Sequence, residues 1–131
     1  MTPATAVFDA SVFVRAAVDR LPDATSALAR RDSWIVPDLM YPEALNAATT
    51  YWRVGRLSRP RAEEIVAEWR LLDLDVRSTR MLAAAAFAVA VDRGLTAYDA
   101  CYVALAEAEQ VPLVTADRRL AAATANAELV A

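Results

Sequence analysis

The chain has 131 residues with 14 basic and 17 acidic side chains, a formal charge of −3, so bulk electrostatics do not hold a polyanion to it. There is no histidine, and every basic residue is arginine, so acid–base chemistry must come from carboxylates, hydroxyls and something the chain does not carry. Two glycines leave no room for a glycine-rich phosphate loop, and the single Cys101 allows no disulfide within the chain, which fits a reducing compartment.

The apolar fraction is 57%, rich in alanine, which suits closely packed helices. Thr5 to Phe8 reads as a short buried strand. Ser11 is the expected cap of a helix running to Arg20, and Pro22-Asp23 opens a second helix to Arg31. Ser33 to Val36 is a second strand, followed by a long helix from Pro37 to Val54 that Gly55 stops. Ser58-Arg59-Pro60 starts a helix to Leu72. Leu74 to Val76 is a third strand, and Ser78 to Arg93 a helix stopped by Gly94. Thr96 caps a helix to Gln110, Pro112 to Thr115 is a fourth strand, Arg118 to Ala125 a short helix, and Glu128 to Val130 an edge strand. Strands separated by helices predict an α/β fold, a parallel sheet covered on both faces, within one domain over residues 1–131. The longest apolar run, Met81 to Val91, is 11 residues, short of the roughly 20 a membrane span needs. With no positively charged secretory leader, a soluble protein is expected.

Four carboxylates stand where a strand or helix turns toward one end of this sheet: Asp9 in Val7-Phe8-Asp9-Ala10-Ser11, Glu43 in Pro42-Glu43-Ala44-Leu45-Asn46, Asp99 in Thr96-Ala97-Tyr98-Asp99-Ala100 and Asp117 in Val114-Thr115-Ala116-Asp117. Each has a plain structural alternative: a cap for Asp9 or Asp117, a solvated helix position for Glu43, a capping box with Thr96 for Asp99. Asp9 and Asp117 both follow apolar strands, and ligands of open parallel sheets bind at strand carboxyl ends. Acids converging there repel one another unless a cation neutralises them, and hard divalent ions take oxygen ligands.

These segments, with Ala100-Cys101-Tyr102-Val103-Ala104-Leu105 and Asp117-Arg118-Arg119-Leu120, resemble the PIN-domain ribonucleases, and within them the VapC-type toxins of toxin–antitoxin pairs. Each motif alone is weak; the four in this order, over nearly the whole chain, are fairly specific. The resemblance implies a three-layer fold with a parallel sheet in the order 3-2-1-4-5. Asp9, Glu43, Asp99 and Asp117 would be the catalytic acids, with Asp9, Asp99 and Asp117 holding Mg²⁺ or Mn²⁺. Ser11, Asn46 and Thr115 match supporting polar positions. The implied activity is endoribonuclease cleavage by a metal-activated water, in the cytoplasm, with a small antitoxin protein as partner and a homodimer as assembly. Many relatives carry a further acid where this chain has Arg119.

Arg53, Arg56, Arg59 and Arg61 around Gly55 are the candidate RNA or partner contacts, against the alternative of a solvated basic loop. Trp34, Trp52, Trp69, Tyr41 and Tyr51 are read as packing residues, with a partner groove as the minority reading. A phosphotransfer receiver or haloacid-dehalogenase-like phosphatase is disfavoured, because both use a lysine and the chain has none. A non-catalytic RNA- or protein-binding module of the same fold is the remaining rival.

Overall fold

The computed structural model describes residues 4–130. Five strands, β1 (Thr5–Phe8), β2 (Ser33–Pro37), β3 (Asp75–Arg77), β4 (Leu113–Thr115) and β5 (Ala127–Leu129), form one sheet in the order β3-β2-β1-β4-β5. Every neighbouring pair is parallel. Seven helices connect and cover them: α1 (Ala10–Ala17), α2 (Pro22–Ala29), α3 (Met40–Arg53), α4 (Arg59–Leu71), α5 (Thr79–Arg93), α6 (Ala97–Glu109) and α7 (Arg118–Ala122). The expected α/β layering and strand order are therefore observed.

The central strands read as unbroken apolar runs because they are buried on both faces and need no polar alternation. Ala6, Val7, Phe8, Leu113 and Val114 are all fully buried. Phe8 packs against Phe13 of α1 and Trp34 of β2, each with ring centroids 6.1 Å apart, and Phe13 meets Trp34 at 6.3 Å. Removing one such ring would cost about 3–5 kcal/mol. On the other side α6 buries Ala100, Tyr102, Val103, Ala104, Leu105 and Ala106, nearly its whole circumference, between the sheet and α5. Gly94 ends α5 with φ 67° and ψ 35°, a left-handed turn that any side chain would strain, and so aims α6 back across the sheet. No single helix among the described residues is long and apolar enough to cross a membrane; α5 and α6 would be so together, but they meet at 113°.

Several boundaries differ from expectation. β2 continues through Pro37, which pairs with Arg77, and α3 begins only at Met40, because sheet pairing carries the chain past the proline. β3 and β5 each sit one residue away from the apolar runs that suggested them. Asp9, not Ser11, occupies the N-cap position of α1. Its side chain does not cap; Ser11 lies inside the helix with its hydroxyl turned to that carboxylate. Trp69 is buried and Trp34 half-buried as packing residues, whereas Trp52 is 46% exposed.

Candidate active site

β1 delivers Asp9 to the first position beyond its carboxyl end, where it is almost fully buried. One carboxylate oxygen, Oδ2, accepts from Ser11 Oγ at 2.6 Å and from Thr115 Oγ1 at 2.8 Å. The same hydroxyls accept from the backbone: Ser11 Oγ from the Ala116 N–H and Thr115 Oγ1 from the Asp117 N–H, both at 3.0 Å. The turn after β4 is thus pinned to the turn after β1, and Asp9 is fixed in one orientation. Ser11 and Thr115 both lie beside the first acid. Burial pushes the Asp9 carboxyl above its ordinary range; the two hydroxyl bonds oppose that, and the charges of Asp99 and Asp117 add to it.

Glu43, in the first turn of α3, receives the Tyr102 hydroxyl on Oε1 at 2.6 Å. Tyr102 is fully buried on α6, so it is a rigid post for the carboxylate. Burial lifts the Glu43 carboxyl as well, against the Tyr102 bond and with help from Asp9 and Asp99. Asp99 lies in the first turn of α6. Its backbone N–H donates to Thr96 Oγ1 at 3.1 Å, and the Thr96 hydroxyl weakly favours its charged carboxylate, which nevertheless lines the cleft. Asp99 is also raised, by burial first and then by Asp117, with Arg119 pulling the other way. Asp117 does cap α7: its Oδ1 accepts from the Arg119 and Leu120 N–H groups at 2.9 and 3.4 Å. The cap uses one oxygen and leaves the other.

All four acids line one open cleft of about 340 Å³, together with Ser11, Arg15, Ala47 and Tyr51. Among the described residues, no three of them converge closely enough to hold an ion by themselves. The donor set is nevertheless that of a hard cation: oxygen only, mutually repelling, with three carboxyls raised by burial. Mg²⁺ is commonly held by one or two carboxylates with waters and substrate phosphates, rather than by a closed protein cage. The residues fit that mode.

Other expected residues fall elsewhere. Asn46 is exposed and does not line the cleft, whose wall one turn past Glu43 is made by Ala47; the Asn46 backbone carbonyl accepts the Thr50 hydroxyl. Arg59 pairs with Glu63 at 2.8 Å, and Arg61 with Glu64 at 3.0 Å and Glu68 at 3.6 Å along exposed faces of α4. Arg53 is exposed outside the cleft, and Arg56 sits over the Tyr51 ring, 5.0 Å from its centroid. The cation that does reach the cleft is Arg15, which bonds Asp19 at 3.3 Å, and Asp19 also receives the Tyr51 hydroxyl. Arg15, Asp19 and Tyr102 were not singled out from sequence. Arg15 carried one usable signal, lying one turn after Ser11 on the helix that leaves Asp9.

Fold and cleft together define a three-layer α/β protein with an acidic, oxygen-lined site over the two central strands. The PIN domain family model matches residues 6–126, and the chain belongs to the PIN domain family. It is 35% identical to Ribonuclease VapC3 of Pyrobaculum aerophilum over 119 residues, 88% of this chain and 91% of the relative. The crystal structure of PAE2754 from Pyrobaculum aerophilum superposes with a TM-score of 0.71 at 28% identity, covering 98% of this chain and 92% of that one. A toxin–antitoxin complex from Klebsiella pneumoniae contains a chain of the same fold, with a TM-score of 0.71 at 16% identity, covering 96% and 98%.

Proposed function

We propose that this PIN domain is a divalent-metal-dependent endoribonuclease and the toxin of a toxin–antitoxin pair. The observation that carries the reading is the convergence of Asp9, Glu43, Asp99 and Asp117 on one cleft, in a chain 35% identical to a protein named a ribonuclease. Asp9, Asp99 and Asp117 would hold Mg²⁺ or Mn²⁺ directly or through water. Such an ion, when bound, supplies Lewis acidity at a phosphoryl oxygen and a water of lowered pKa. Asp9 keeps its orientation through Ser11 and Thr115, and Glu43, braced by Tyr102, holds the ion or orients water. Hydrolysis at phosphorus leaves a 5′-phosphate and a 3′-hydroxyl. The chain has no histidine to run the cyclic-phosphate route.

The 131 residues act as one domain in the cytoplasm. A mostly apolar groove of about 400 Å³ between α3 and α4, lined by Leu45, Ala48, Trp52, Ala62 and Val66 together with Thr49 and the Arg59–Glu63 pair, suits the apolar face of an antitoxin helix. The exposed face of α5, with Met81, Phe87 and Val91, suits a second copy of the chain.

The test is cleavage of total RNA by purified protein with Mg²⁺ or Mn²⁺, with EDTA, and by the Asp9→Asn variant, with product ends mapped. Discrete cuts with 5′-phosphates, absent with EDTA and in the variant, are expected. Folded, inhibitor-free protein that binds RNA without cutting it would leave the binding-module reading instead.

A further inference from the structure

An acid-lined cleft repels the polyanion it is proposed to cut, so the strand must be held from beside it. The cation cluster at the α3–α4 turn does not serve, since none of Arg53, Arg56, Arg59 and Arg61 lines the acidic cleft, and Arg59 and Arg61 pair with glutamates of α4. A second cavity, of about 250 Å³, lies over the carboxyl ends of β4 and β5 and is lined by Arg15, Leu21, Ala116, Arg118, Leu129 and Val130. Arg15 lines both this cavity and the acidic cleft, and Ala116 adjoins Asp117, so the two are continuous along the sheet edge. The lining holds two guanidinium groups, four apolar side chains and no carboxylate. Arg118 makes no ion pair with the described residues, and Arg15 is held at the shared wall by Asp19.

We infer that this cavity is a subsite for one nucleotide flanking the scissile phosphate, with Arg15 and Arg118 on its phosphate and the base against Leu21 and Leu129. The chemistry is that of single-strand binding: cations on the backbone and an apolar surface under a base, tolerant of sequence. The subsite is bounded. The next cavity along the edge carries Asp23, Glu128 and Arg30, whose guanidinium is paired with Glu128, so no unpaired cation extends the track beyond one nucleotide. The inference rests on the nuclease reading for its substrate, not for its existence as a phosphate site.

The experiment measures binding and cleavage separately. Fluorescence anisotropy of a labelled single-stranded RNA is followed on the Asp9→Asn chain, alone and with Arg118→Ala or Arg118→Lys, across about 50 to 200 mM salt. Arg118→Ala is expected to weaken binding about tenfold. It should also reduce the slope of log affinity against log salt by about 0.7, the value of one single-strand phosphate contact. Arg118→Lys should keep the slope. In the otherwise unaltered chain, the loss from Arg118→Ala should fall on KM more than on kcat. An Arg118→Ala chain with parental affinity and parental salt slope overturns the subsite, whatever the cleavage result. A parent that binds RNA and cuts none overturns the nuclease reading, while the same binding series still decides the subsite. A parent that binds no RNA overturns both.

Discussion

Asp9 is buried among hydroxyls that fix it and beside carboxylates that repel it. A carboxyl whose folded pKa is raised above its ordinary 3.8 stabilises the fold when protonated, and that contribution is lost as pH rises through the raised value. At neutral pH the acids therefore work against the metal-free fold, and removing one charge relieves it. Asp9→Asn, which still offers an acceptor to Ser11 and Thr115, is expected to raise the melting temperature of the metal-free protein at pH 7.5. It should not do so near pH 3, and it should lower kcat by about 100-fold or more. Calorimetry at the two pH values and single-turnover cleavage check this; an unchanged or lowered melting temperature at pH 7.5 would contradict the electrostatic account. Tyr102 acts on the same cleft through Glu43. Tyr102→Phe removes a hydrogen bond to a charged group, worth about 1.5–3 kcal/mol. It should cost about tenfold in kcat with KM little moved, and raise the divalent-ion concentration needed for half activity. A plain folding defect would lower the active fraction without shifting that metal titration.

Among the elements, β5 shows how little of an edge strand is its own doing. Its three residues pair with β4, and Glu128 engages Arg30 and Arg31 across the domain, with Arg31 Nη2 at 2.7 Å and its side chain only 1% exposed. Arg31 Nε and Nη1 find no partner among the described residues, so Glu128 is the main compensation for a buried guanidinium. Glu128→Ala should destabilise by about 3–5 kcal/mol, read as a lower urea midpoint. Burial works to raise the Glu128 carboxyl, but the Arg31 and Arg30 bonds outweigh it and hold it below its ordinary 4.5. That stabilisation is present above 4.5 and is lost as pH falls through the lowered value, so the two chains should converge in stability at strongly acid pH. The same strand shows why edges were misplaced from sequence. Leu74 and Val76 looked like the run of β3, yet its register is set by Ile35 facing Asp75 and Pro37 facing Arg77, a property of the pairing rather than of apolar spacing. The central strands were legible because burial on both faces writes itself into Ala6-Val7-Phe8 and Leu113-Val114.

For the whole molecule, the four acids were legible because each sits at a punctuated element end, whereas their supports were not. Tyr102 reaches Glu43 across 59 residues, and Arg15 and Arg118 share a cavity only because β4 lies beside β1. At the scale of assembly, an unbroken apolar run such as Met81 to Val91 does not say which of its side chains are buried. The structure buries only Leu82, Ala86 and Val89 of α5, and leaves Met81 84%, Phe87 71% and Val91 64% exposed. An apolar face of this kind on a helix needs a partner. Its pattern is nearly its own complement. In an antiparallel pair about Ala86, Met81 comes level with Val91, Ala84 with Ala88, Ala85 with Phe87, and Arg80 with Asp92. Phe87 then meets the small Ala85, Met81 meets Val91, and opposite charges lie level at each end, the isologous form expected of a two-fold dimer. Phe87→Asp places a charge at that contact and none in the core, so the monomer should stay folded while the dimer is lost. Light scattering coupled to size exclusion should show twice the 14.2 kDa chain mass for the parent and a single chain mass for the variant. A parent that is already monomeric at high concentration, or a Phe87→Asp chain that remains dimeric, would assign the α5 face to something other than a second copy.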